Sequence, residues 1–161
     1  MILYECYADE TLLSALGLQR KEIEHAGCIG NVGNRLKSKY KYSIGMIDED
    51  PGKSCPSYIN NCNFVNMSTT NVDVKVKYDN ARKNYIVLIC PDLEPWILKI
   101  TNLENIDITS YGLSNDPDIL HDELTVSEKK RNSFKQLIID LEAKSNHIKT
   151  LKALLLQLNK P

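Results

Sequence analysis

Tyr42-Ser43-Ile44-Gly45-Met46-Ile47 is an apolar run that stops abruptly at Asp48-Glu49-Asp50-Pro51-Gly52. A β-suited run followed by a dense turn signal describes a strand whose carboxyl end carries three acids. Upstream, Ile2 to Tyr7 is short, apolar and β-suited. The segment from Ala8 to Gly17 reads as a helix, with acids in its first turn and glycine at its end. That is a strand-helix unit preceding the acidic strand, and it sets the class as α/β. Between the two, Ile23 to Cys28 is predicted as a short strand. Asn31 to Lys39 is predicted as a helix, opened by glycines at 27, 30 and 33.

Downstream, Lys53 to Thr70 is rich in Ser, Asn, Pro and Cys without a clean period and is expected to be a long loop. Val72 to Tyr78 alternates apolar and charged residues, residues 79–83 turn the chain, and Tyr85 to Cys90 is apolar again, which predicts an antiparallel hairpin. Pro91-Asp92-Leu93-Glu94-Pro95-Trp96-Ile97-Leu98 begins a helix, with Asp92 as cap and Pro95 tolerated in the first turn. Trp96, beside Ile97 and Leu98, is expected to be a core or interface anchor rather than a platform for substrate. Three more helices follow: residues 116–124, one capped by Ser127 running to about Ala143, and one capped by Ser145 running to Leu158. Phe134, Leu137, Ile138 and Leu141 recur at helical spacing, as do Ile148, Leu151, Leu154, Leu155 and Leu158. These stripes are expected to cover the sheet rather than await a partner, because its faces need covering. The leucines from 151 to 158 also leave a homo-oligomer open.

A chain of 161 residues matches one domain. We therefore expect a core over 1–103 with a helical extension over 104–161 packed on it. Twenty basic and 21 acidic residues leave a formal charge of −1, so nucleic acid would have to be held by local patches. No apolar run approaches the ~18 residues of a membrane span. Met1 leads directly into Ile2-Leu3-Tyr4, without a basic segment or cleavage site. Five cysteines at 6, 28, 55, 62 and 90 form no CxxC pair, which favours buried reduced thiols and a reducing cytoplasm. His25, His121 and His147 are scattered without helical-spacing partners and are expected to be surface or satisfied polar residues.

Two carboxylates spaced Asp48-x-Asp50 at a strand end, with Glu5 at the end of the first strand, would make a hard oxygen site suited to Mg²⁺ or Mn²⁺. Crowded like charges do not remain ionised without a cation, and a divalent ion can orient a phosphate. The plainer reading is that acids after strands are ordinary turn residues. For a general base, Glu5 and Glu49 are the nearest carboxylates. Arg35, Lys37 and Lys39, continued by Lys41 and interleaved with Tyr40 and Tyr42, form a basic-aromatic stretch able to hold a phosphate backbone. A solvated helix face is the alternative.

The order of Glu5 on the first strand, a following helix, and Asp48-x-Asp50 on a later strand resembles the Toprim domain over roughly residues 1–103. The segment from Ile89 to Leu98, with its Leu93-Glu94-x-Trp96 core, resembles the strand-to-helix segment of small stand-alone Toprim-like proteins of bacterial, defence-associated gene neighbourhoods. The resemblance implies a Rossmann-like, mostly parallel sheet with an antiparallel hairpin and C-terminal helices. It also implies Mg²⁺ held by Glu5, Asp48 and Asp50, with Glu94 as an additional acid. Glu5, Asp48 and Asp50 would then be the catalytic residues of a metal-dependent nuclease. Such an enzyme would act on nucleic acid with a larger partner such as an ATPase, in nucleic-acid metabolism or antiviral defence. Two departures stand out: Cys6 follows Glu5 where many members carry glycine, and Gly52 comes two residues after Asp50. They keep open a catalytically silent accessory subunit with the same fold.

Overall fold

The computed structural model describes residues 1–52, 54–67 and 73–159. Six strands form one mixed sheet: β1 (Ile2–Tyr4), β2 (Ile23–His25), β3 (Ile44–Asp48), β4 (Asn63–Phe64), β5 (Val74–Asp79) and β6 (Asn84–Ile89). The spatial order is β2-β1-β3-β6-β5-β4. The first four in that order are parallel neighbours, while β5 runs antiparallel to β6 and β4. The helices are α1 (Tyr7–Ala15), α2 (Ile29–Ser38), α3 (Ser57–Asn60), α4 (Leu93–Leu103), α5 (Pro117–Val126), α6 (Glu128–Lys144) and α7 (Asn146–Leu158). This is the α/β architecture with C-terminal helices that the alternation of elements predicts.

Strand alternation divides the interior into two layers. Ile2 and Tyr4 of β1, Ile44 and Met46 of β3, and Val87 and Ile89 of β6 face the larger one, together with apolar residues of α1 and α4 to α7. Leu3, Ile47, Ile86 and Leu88 face the smaller, under α2 and α3. The C-terminal stripes are thus used inside the protein: Phe134, Leu137, Ile138, Leu141, Ile148, Leu151, Leu154 and Leu155 are all buried in the same cluster as β1. Trp96 is buried among them, as its apolar neighbours predict. Gly45 lets α2 lie against β3, since a Cβ there would stand 2.8 Å from both Leu36 Cδ1 and Val32 Cγ1.

Ser127 and Ser145 both cap helices, accepting hydrogen bonds from the Lys130 and His147 backbone N–H groups. The expected long loop over 53–70 is corrected by α3 and β4. Ile59 of α3 is fully buried against Gly33 of α2, and Lys77 Nζ donates to the Ile59 carbonyl at 3.1 Å. Packing orders a segment too short to show a period. Lys53, residues 68–70 and Val72, which also belong to the loop and hairpin readings, lie outside the described residues. Cys62 and Cys90 are buried, but Cys28 is exposed and Cys6 and Cys55 are partly so, which corrects the expectation of uniformly buried thiols; all five are free. Among the described residues no helix is long and apolar enough to cross a membrane.

Candidate functional site

Leaving β1, the chain goes to β2 on one side; leaving β2, it crosses to β3 on the other. The carboxyl ends of β1 and β3 therefore diverge from their helices and leave a crevice, the place where open parallel sheets bind ligands. Glu5 follows β1 and Asp48 ends β3, so the two acids are set side by side by topology. The Asp48 backbone N–H donates to Glu5 Oε1 at 3.2 Å, and the Ile29 N–H at the start of α2 also donates to the Glu5 carboxylate. Beyond β3 the chain stays attached to β6 and the link that follows it: the Glu49 N–H donates to the Ile89 carbonyl at 2.8 Å and the Asp50 N–H to the Pro91 carbonyl at 3.1 Å. Asp50 adopts a left-handed backbone, φ 46°. This attachment brings Asp48 and Asp50 beside the start of α4, where Asp92 and Glu94 lie.

The result is a half-open cavity of about 410 Å³. Its acidic lining is Glu5, Asp48, Asp50, Asp92, Glu94 and Asp118, and among the described residues no lysine or arginine borders it. Three of the four acids singled out for metal binding line it as strand-end neighbours, and Glu94 lines it from α4. Glu94 is used differently from a free ligand, because its Oε1 stands 3.0 Å from Nδ1 of His121 on α5. Three groups escaped the sequence reading. Asp92 occupies the helix-cap position but its side chain makes no cap bond and borders the cavity. Asp9 is 3 % exposed and accepts from the Glu5 and Cys6 N–H groups at 3.0 and 3.1 Å, fixing the start of α1 directly behind Glu5. His121, expected as a surface or satisfied polar residue, is exposed and paired with a carboxylate, and it also borders the cavity, which its isolation in the sequence does not signal. Only Asp9 left a sequence signal, the capping spacing of an acid three residues after a helix start.

Charge crowding dominates the chemistry. Burial, reinforced by Asp9, Glu94, Glu5 and Asp92, pushes the Asp48 carboxyl up to about 9. Burial and the nearby Asp9 and Asp50 raise Glu5 to about 7, although the Asp48 and Ile29 N–H groups oppose the shift. Burial raises Asp9 to about 6 against the two N–H groups it accepts from, with Glu94 adding to the rise. Asp48 Oδ1 is buried with no hydrogen-bond partner among the described residues. A buried, unpartnered carboxylate oxygen among other acids matches what a hard divalent cation requires. The side chains are not already gathered around one point, since among the described residues no three His, Cys, Asp or Glu groups form a ready ligand set.

The remaining sequence candidates lie elsewhere. Glu49 turns away and pairs with Lys75 Nζ at 2.6 Å, so of the two candidate bases only Glu5 faces the cavity. Arg35 pairs with Glu24 at 2.8 Å and with the His25 carbonyl at 2.9 Å. Lys39 stands 3.6 Å from Glu24 and lies over the Tyr40 ring, whose hydroxyl also binds Glu24. Lys37 is exposed, and none of the three borders the acidic cavity. No protein family, curated protein or solved structure matches this chain, so the reading of its function rests on the site itself.

Proposed function

We propose that the protein is a Toprim-like, Mg²⁺- or Mn²⁺-dependent phosphoryl-transfer enzyme that hydrolyses phosphodiesters in nucleic acid, acting with a larger partner protein such as an ATPase. The observation that carries this reading is Asp48, whose buried Oδ1, without a hydrogen-bond partner among the described residues, sits at the switch point of the sheet with Glu5 and Asp50 on the same cavity. Glu5, Asp48 and Asp50 would hold the ion. When bound, it would neutralise these carboxylates and the charge that develops on the phosphoryl oxygens. The protein's own part is positional. Asp9 holds the Glu5 backbone, the Ile29 and Asp48 N–H groups aim the Glu5 carboxylate, and the attachment of residues 49–50 to β6 sets Asp50. Arg35, Lys37 and Lys39 would meet the nucleic-acid backbone outside the cavity, Arg35 and Lys39 by exchanging Glu24 for phosphate.

One observation favours a second reading, a catalytically silent accessory subunit: no three side chains are gathered as a ligand set among the described residues. Incubation of labelled single- and double-stranded oligonucleotides with the wild type and Asp48→Asn, each with Mg²⁺, Mn²⁺ or EDTA, separates the two. Cleavage that needs metal and disappears in the variant is the expected result. Equal cleavage by both proteins would refute the assignment of Asp48, and no cleavage with no metal response would leave the silent subunit.

A further inference from the structure

Helix α5 contributes Pro117, Asp118 and His121 to the lining of the acidic cavity. His121 Nδ1 stands 3.0 Å from Glu94 Oε1, and the two side chains differ sharply in exposure, 55 % for the histidine and 6 % for the glutamate. A buried carboxylate facing a half-exposed imidazole orients the ring: Nδ1 is the nitrogen placed against Glu94, which leaves Nε2 as the ring atom able to meet a ligand in the cavity. Nε2 has no hydrogen-bond partner among the described residues.

We propose that His121 is a further catalytic residue of this site, accepting through Nε2 a hydrogen bond from the water that attacks the phosphodiester, with Glu94 as its positioning residue. The inference rests on the phosphoryl-transfer reading above and adds to it the C-terminal helices as part of the active site. In the step, the water oxygen forms a new bond to phosphorus. The P–O bond to the leaving group breaks, its electron pair going to the leaving oxygen, which takes a proton from solvent. The proton lost by the water goes to Nε2, and the imidazolium so formed, held by Glu94, releases it to solvent before the next turnover, so one ester and one water give one phosphate monoester and one alcohol. The assignment also removes Glu94 from the ion's ligands, because its carboxylate is engaged by His121. The alternative role for the pair is mechanical, a clasp between α4 and α5, which pack together.

Two variants separate these roles. In His121→Asn the side-chain amide stands where Nδ1 does and can still donate to Glu94, but nothing reaches the position of Nε2. His121→Gln places an acceptor oxygen near that position. With a labelled oligonucleotide and Mn²⁺, the expected result is a wild-type melting temperature and KM for His121→Asn with kcat lower by on the order of 10²-fold, and partial recovery of kcat in His121→Gln. Nitrogen-15 NMR of the metal-free protein gives a readout independent of activity. The neutral ring should show the Nδ1–H tautomer in wild type and lose that preference in Glu94→Ala. A mechanical clasp would instead leave kcat intact in His121→Asn. An Nε2–H tautomer in wild type, or wild-type kcat in His121→Asn while Asp48→Asn is inactive, overturns the role of His121 and leaves the proposed function standing. No cleavage by wild type under any metal condition overturns both.

Discussion

Replacing Asp48 by Asn should stabilise the metal-free protein, and more so as the pH rises. Burial, reinforced by Asp9, Glu94, Glu5 and Asp92, pushes the carboxyl up to about 9, against about 3.9 in an unfolded chain. A raised acid pKa means that the folded state holds a proton the unfolded state releases. Stability is therefore fully present below pH ~4 and declines as pH rises toward about 9. Each pH unit in that window costs ~1.4 kcal/mol, which sets a ceiling of ~4 kcal/mol at neutral pH. Several acids share the repulsion, so protonating one relieves the others and the realised cost is smaller, roughly 2 kcal/mol. Asn has the same shape and no charge to bury. In urea titrations with EDTA, the variant should match wild type near pH 4 to 5 and exceed it by roughly 2 kcal/mol at pH 8, equivalent to about 4–8 °C in melting temperature for a domain of this size. A variant less stable than wild type at every pH would refute the crowded-carboxylate account of the site.

Added Mg²⁺ or Mn²⁺ should raise the wild-type melting temperature, because an ion bound only by the folded state at 100 times its dissociation constant contributes ~2.7 kcal/mol. Asp48→Asn and Glu5→Gln should lose that response in the same melting assay. Gly45→Ala should cost roughly 1–3 kcal/mol in urea denaturation, since the new Cβ would meet Val32 and Leu36 at 2.8 Å and push α2 off the sheet. Asn84 is fully buried; its Oδ1 accepts from the Ser43 N–H, and its Nδ2 donates to the Leu36 and Tyr40 carbonyls. Asn84→Ala should cost about 2–4 kcal/mol by the same measurement, because it leaves buried backbone groups unpaired.

Local features of the sequence carried most of the fold. The end of β3 is legible because an apolar run meets a cluster of turn acids, and the starts of α6 and α7 are legible because Ser127 and Ser145 act on their own neighbouring N–H groups. The C-terminal stripes showed their period because helices of 17 and 13 residues repeat it several times. By contrast, α3 spans four residues and β4 two, too few for any period, and what holds α3 is contact with Gly33 and Lys77, distant in sequence. In the site, Glu5, Asp48 and Asp50 were legible as strand-end acids. Asp92 looked like a cap because its position is a cap position, and only the three-dimensional approach of α4 to β3 turns it toward the cavity. The pairing of His121 with Glu94 joins two helices 27 positions apart and has no local signature at all. Arg35 and Lys39 looked free because their partner, Glu24, lies on another element.

The central claim is that Glu5, Asp48 and Asp50 form a divalent-cation site. Titration calorimetry of Mn²⁺ into the wild type and Asp48→Asn, at about pH 6 and pH 8, tests it directly. Ion binding must displace protons from carboxyls held above their ordinary range. The account therefore expects one ion per chain, tighter binding at the higher pH, proton release detectable through buffers of different ionisation heat, and loss of binding in the variant. Absence of binding at both pH values, or identical isotherms for the two proteins, would contradict it.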